Sequence, residues 1–167
     1  MGQNVMAALA VVLLSGCGAS GPQFQEGLAK PDSGRALLYV YRTNTMIGII
    51  NGDVPFMHLD GRRLARIRIG GYAAIPIPPG KHRLTTTESL LGEDIGKVRG
   101  ETTFTVSAGS VVYLRYTEVF ESIVPIVVPG AVIVATTGDF RFEAIPEAEA
   151  RVELASTNAL ELIGKAQ

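Results

Sequence analysis

The sequence predicts a mainly β fold: a single antiparallel β-sandwich closed by a short C-terminal helix. Three observations predict it. Short runs rich in Val, Ile, Tyr and Thr recur at roughly ten-residue spacing, the rhythm of a sandwich or barrel. Glycine and proline, 19 and 9 of the 167 residues, punctuate those runs where turns need them. Hydrophobic residues make up 47% of the chain, enough for a real core, and the length suits one domain.

The chain begins without a charged side chain from Met1 to Gly16. Val5–Leu14 is an apolar run dominated by Ala, Val and Leu. A membrane-spanning helix needs ~20 apolar residues, so this run is too short to span. It has the length of a signal-peptide apolar region, and small residues, Ser15 and Gly16, follow it. Next comes Cys17, the only cysteine of the protein. A lone thiol excludes an internal disulfide framework and a multi-cysteine zinc site. Residues 18–34 are rich in Gly, Pro and Ser without periodicity, and read as a flexible tether. A coil of that length reaches roughly 20–25 Å.

The folded part opens with RALLYVYRT, Arg35–Thr43. Leu37, Tyr39 and Tyr41 share one face of this run, and Leu38 and Val40 the other. Apolar residues on both faces place it centrally in a sheet. Asn51-Gly52-Asp53 signals a turn, and Asp60-Gly61 a hairpin between two β runs. In the second of those runs Ala65, Ile67 and Ile69 share a face, with Arg66 and Arg68 opposite. Gly70-Gly71 and Pro78-Pro79-Gly80 break the next strands, and Lys81–Glu88 forms another. LLGEDIGKVRG, residues 90–100, reads as a loop. Two strands follow, joined at Ser107–Ser110, with Phe104 and Val106 on one face. Ser122–Gly138 carries no charge, but Pro125, Pro129, Gly130 and its β-branched residues argue against a helix. It reads as an apolar hairpin turning at Pro129-Gly130. Phe140 and Phe142 alternate inward, and a helix starts with Pro146 in its first turn, Glu147 and Glu149 suiting its positive N-terminal dipole. The expected boundaries are a signal peptide over 1–16, lipidated Cys17 and tether over 17–34, a domain over 35–160 and a tail over 161–167.

Two resemblances attach to these residues. Leu14-Ser15-Gly16-Cys17 resembles the lipobox of bacterial lipoproteins at all four positions. That resemblance implies signal-peptidase cleavage between Gly16 and Cys17, a diacylglyceryl thioether on Cys17 and acylation of the freed amine. Gly18, Ala19 and Ser20 follow, with no Asp beside Cys17, which resembles the pattern for export to the outer membrane. The order of ALLYVYR from Ala36, HLDGRRLARI ending at Ile67, IPPGKHRL ending at Leu84, FTVSAGSVVYLRY from Phe104 to Tyr116 and FRFEAIPEAEARVEL ending at Leu154 resembles the bacterial family of unknown function DUF2846. PPGKH-like turns also resemble those of PEGA-type and transthyretin-like β modules. The family resemblance implies a β-sandwich-like envelope lipoprotein and supplies no reaction.

Candidate chemistry is sparse. Lys plus Arg number 15 and Asp plus Glu 16, a balance unsuited to neutralising nucleic-acid phosphates. His58-x-Asp60 with His82 downstream has the composition of a two-histidine, one-carboxylate iron site, although Asp60 is also the turn residue. No G-x-S-x-G elbow and no glycine-rich phosphate loop occurs; Ser107 and Ser110 suit a hairpin turn. Arg62, Arg63, Arg66, Arg68, Lys81 and Arg83 form the densest positive group. If their strands are neighbours, Arg66, Arg68, Lys81 and Arg83 make one patch suited to lipid phosphates or acidic glycans. The apolar hairpin Ile123–Ala135, with Ile126 and Val128, suits core, partner surface or bilayer contact. Tyr39, Tyr41, Tyr113 and Tyr116 suit core and rim packing, or a ligand groove.

The expectation is therefore a protein anchored through lipid on Cys17 at the periplasmic face of the outer membrane. It acts as a non-catalytic interaction module, without cofactor, metal or nucleic acid. Its partner is an envelope protein or an anionic lipid or glycan. A small-ligand or lipid-binding module using the hairpin is the alternative, and a metal enzyme at His58, Asp60 and His82 the second.

Overall fold

Alternation along Ala36–Arg42 puts Ala36, Leu38 and Val40 on one side and Leu37, Tyr39 and Tyr41 on the other; all seven residues of this strand, β1, are buried. The structure, a computed structural model, describes residues 18–27, 31–32, 34–45, 54–128 and 131–163, and of 119–139 the backbone alone. After β1 come β2 (Phe56–Leu59), β3 (Arg62–Arg66), β4 (Gly71–Ile77), β5 (Gly80–Leu90) and β6 (Glu93–Val106). Then follow β7 (Val111–Val128), β8 (Ala131–Ala144), the helix α1 (Glu147–Leu154) and the short β9 (Asn158–Ala159).

These strands make two sheets, ordered β8-β7-β1-β4-β9 and β3-β2-β5-β6. β1 is the middle strand of the larger sheet, as its two apolar faces require. Leu38 and Val40 face a core shared with Met57, Leu59, Leu64, Leu84 and Val106 of the second sheet. Leu37, Tyr39 and Tyr41 face a second cluster with Tyr113, Ala150 and Leu154, against which Phe24, Tyr72 and Ile145 pack. Helix α1 thus covers the outer face of the larger sheet. Pro146 is its N-cap residue with an extended ψ of 143°, one position ahead of the first turn expected for it.

The mainly β, two-sheet architecture with a C-terminal helix is present, with four departures in detail. β1 pairs with β7, and β4 with β9, in parallel, so the larger sheet is mixed rather than antiparallel. The period of a strand reports its faces but not its direction, which the intervening chain decides. Residues 90–100 form a hairpin rather than a loop: β5 turns into β6 through Leu91 and Gly92, both with positive φ (52° and 90°). Asp60 and Gly61 (51° and 80°) make the expected turn in the same way, the geometry of a two-residue hairpin whose twist suits its strands.

The other departures concern the ends. The supposed tether is docked over residues 18–27: Gly18 bridges Ile69 in parallel, Gln23 bridges Asn158, and Phe24 N donates to the Thr157 carbonyl at 2.9 Å. The supposed tail is docked at its start, where Leu162 bridges Ala65 and Ile163 N donates to the Leu64 carbonyl at 2.6 Å. β7 and β8 pair antiparallel from Leu114↔Ala144 to Val128↔Ala131, so the Ser122–Gly138 hairpin forms. Its connecting residues Pro129 and Gly130, the turn Asn51-Gly52-Asp53, and Gly16 and Cys17 lie outside the described residues.

Candidate functional site

β3 is an edge strand, and four arginines stand on it or just after it. Arg62 and Arg63 are exposed; Arg66 and Arg68 are half-buried. The guanidinium groups of Arg63 and Arg66 lie 5.1 and 5.2 Å from the centre of the Phe56 ring, which faces them from β2. Planar guanidinium stacks on an aromatic face, so Phe56 holds both cations without neutralising them. Arg66 Nη2 donates to Ser89 Oγ at 3.3 Å, and its buried Nε has no hydrogen-bond partner.

Ion pairing separates these arginines from other cations of the domain. Arg42, Arg83, Lys97, Arg99, Arg115, Arg141 and Arg151 each pair with a carboxylate among the described residues. Arg62, Arg63, Arg66 and Arg68 pair with none. Arg66 and Arg68 line an open cavity of about 300 Å³ with Glu161, Leu162 and Ile163. Lys81 and Arg83 do not join them. β2 lies between β3 and β5, and Arg83 forks onto Glu101 at 2.9 and 2.7 Å. The single four-cation patch therefore divides, for want of neighbouring strands.

The histidines divide as well. His82 faces inward, its Nδ1 2.7 Å from Asp60 Oδ2 and its Nε2 2.9 Å from the Pro78 carbonyl. Burial pushes the His82 pKa down, but the bonds to Asp60 and Pro78 and the Asp60 charge outweigh it, so the pKa is raised. Burial alone would raise Asp60, yet the Arg83 N–H, the His82 bond and the His82 charge bring it below its usual range. His58 alternates with inward Met57 and Leu59, so it stands on the opposite face. It pairs there with Asp94 at 2.9 Å and with Thr87 at 3.0 Å. No group of three His, Cys, Asp or Glu able to hold a metal occurs among the described residues. The iron-like string is two separate His–Asp pairs.

The tyrosines also fall into different places. Tyr39 and Tyr113 stack at 5.1 Å with an 8° interplanar angle, and Phe24 meets Tyr39 edge-on at 6.0 Å. With Pro31, Val111, Glu147 and Arg151 they border a shallow groove of about 170 Å³. Tyr41 is buried, its hydroxyl donating to Glu153 of α1 at 2.5 Å; burial and that carboxylate raise its pKa. Tyr116 is buried in the core between the sheets, stacked on Phe140 at 5.3 Å. Of the four, the Tyr39–Tyr113 pair borders this groove, and Tyr41 and Tyr116 do not line it.

Sequence reasoning missed several partners. Asp94 lay in the segment read as a loop, so its pairing with His58 had no signal. Phe56 became a platform only because β2 pairs with both β3 and β5. Arg42 and Glu118 form a buried ion pair joining β1 to β7, visible only once those strands are neighbours. Of the apolar hairpin Ile123–Ala135 the structure gives pairing alone, so Ile126 and Val128 are placed on β7 and their side chains lie outside the description.

A family model described as "Protein of unknown function (DUF2846)" matches residues 32–132, from just before β1 into β8. No curated protein and no solved structure matches the chain.

Proposed function

The chain belongs to the DUF2846 family, and from that premise we propose that it is a lipid-anchored protein of the bacterial envelope whose β domain is a non-catalytic interaction module. The observation that supports this reading is the lipobox-like Leu14-Ser15-Gly16-Cys17 string, which immediately precedes Gly18, the residue that pairs with Ile69 of the folded body. A signal-like apolar run, a lipobox and a docked residue 18 make one continuous device for holding this domain at a membrane. One acyl chain binds a bilayer marginally, whereas two or three, at ~0.8 kcal/mol per buried methylene, hold it stably. Gly18-Ala19-Ser20 after Cys17 favours the periplasmic face of the outer membrane.

The two cavities described above suit surface binding better than an enclosed ligand. Small-molecule pockets run from about 300 to 1,000 Å³ and bury most of their ligand. The cavity at Arg66 and Arg68 is open and at the lower limit, and the aromatic groove, at about 170 Å³, is below it. An envelope protein or an anionic lipid or glycan suits such surfaces. The test is Cys17→Ser in growing cells, followed by labelled palmitate and membrane fractionation. Loss of label and of membrane retention is expected; labelling that persists in the variant sinks the reading.

A further inference from the structure

We infer that the protein lies on an anionic phospholipid surface through one end of its sandwich, where Gly18, the arginines on and just after β3 and the Leu91-Gly92 turn come together. The inference rests on the lipid-anchor reading and adds which surface meets the bilayer and through what chemistry.

The topology gathers these parts. β1 ends at Arg42, opposite Gly71, and Ile69 stands two residues before Gly71 as the partner of Gly18. Arg66 follows the same course, its Nη2 on Ser89 two residues before Leu91. β7 runs parallel to β1, reaches Arg42 at Glu118, and continues with β8 beyond that level to Val128↔Ala131. The chain entry, the β5–β6 turn and the charge-free β7–β8 hairpin therefore share one end.

Chemistry distinguishes that end. Leu90, Leu91 and Ile95 are 57, 99 and 47% exposed. Leu91 also holds a φ of +52°, a left-handed conformation that a leucine adopts only at a cost. Glycine would make this turn without strain, and Asn or Asp at less cost than leucine and without exposing apolar surface, so folding alone does not account for a bare leucine there. Leu162 and Ile163 are partly exposed beside Arg66 and Arg68. Arg63, Arg66 and Arg68 have no ion pair among the described residues, and Glu161 lines the same cavity as Arg66 and Arg68 without pairing to either. Leucines flanked by arginines that keep their heads near phosphate are the pattern of an interfacial surface. The occupant follows from where the chain goes: residues 1–17 enter at Gly18, so lipid on Cys17 would be delivered to this end and not to the Ser107–Ser110 end.

The test uses the full acylated chain in nanodiscs of mixed phosphatidylglycerol and phosphatidylethanolamine, or of phosphatidylcholine alone. An environment-sensitive fluorophore is placed on Leu91→Cys or, at the opposite end, on Ala108→Cys. Co-elution with the nanodisc reports the anchor, and quenching by doxyl-labelled lipid reports the surface. Expected are quenching and a blue shift at position 91, none at 108, and loss of the quenching with Arg66→Gln/Arg68→Gln. Raising salt on the unsubstituted arginines should weaken it likewise and needs no folding of the variant. A chain that co-elutes without quenching at 91, or with equal quenching at 108, overturns the inference and leaves the anchor standing. Equal quenching in phosphatidylcholine, indifferent to salt, overturns the anionic part, and failure to co-elute overturns both readings.

Discussion

The His82 ring lies between two acceptors, the Asp60 carboxylate and the Pro78 carbonyl. A neutral imidazole has one N–H, so it satisfies one of them; the imidazolium satisfies both. That is why the His82 pKa rises despite burial. A group whose folded pKa is raised contributes stability fully below its unfolded value, about 6.5, and loses it as pH rises through the folded value. Asp60, lowered in the fold, contributes above its usual 3.8 and loses it as pH falls through the lowered value. The pair is therefore complete between those limits. The urea midpoint should fall as pH is raised from about 6 to 9, and His82→Gln should flatten that fall. An unchanged slope in the variant would assign the dependence to other groups. The sequence showed Asp60 as a turn residue and both histidines as candidates. Their partners depended on which face each occupies, and a bulge between Met57 and His58 adjusts that register locally.

At the scale of elements, residues 18–27 act as a strap along the larger sheet. Ala19 N donates to the Ile69 carbonyl at 3.1 Å, and Phe24 rests on Tyr39 and Tyr72. Gly21 is what allows the approach: a Cβ there would stand 2.3 Å from the Ala159 carbonyl oxygen. Gly21→Ala should therefore lift the strap or strain β9, a destabilisation of about 1–3 kcal/mol in urea unfolding. Amide exchange at Ala19 and Phe24 should quicken in the variant, and unchanged protection would mean that the strap bears on nothing at Gly21. Composition suggested a tether because Gly, Pro and Ser have no period. Its docking depends on bonds to residues 69, 157 and 158, far along the chain. The β5–β6 hairpin escaped for a related reason. Leu-Gly is a poor turn signal beside the Asp-Gly that correctly marked β2–β3.

At the scale of the whole molecule, β1 ties two cores together. Its residues contribute to the core between the sheets and to the cluster beneath α1. The amides of Leu38–Tyr41 should exchange only through global unfolding, while those flanking Leu91 exchange by local opening. Native-state exchange at increasing denaturant would check this; early opening of β1 would place the stable core elsewhere. Helix α1 joins the same unit through Glu153, which accepts from Tyr41 and pairs with Arg115; burial opposes the Arg115 charge, but the Glu143 and Glu153 carboxylates outweigh it and raise its pKa. Lengthwise, the molecule has an end carrying Gly18, exposed leucines and unpaired arginines, and an opposite end built from the Ser107–Ser110 turn.

By itself the sequence determined the β class, the central place of Ala36–Arg42, the Asp60-Gly61 hairpin, the pairing of the two runs around Pro129-Gly130 and the C-terminal helix. Those features rest on local periodicity, turn chemistry and burial on two faces, which neighbouring residues encode together. Only the tertiary structure decided that β1 and β7 run in parallel, that β2 separates the arginines of β3 from Lys81 and Arg83, and that His58 turns away from His82. It also decided that residues 18–27 lie against the sheet. Each of these depends on which distant strands become neighbours, and a strand's period carries its faces but neither its direction nor its partner.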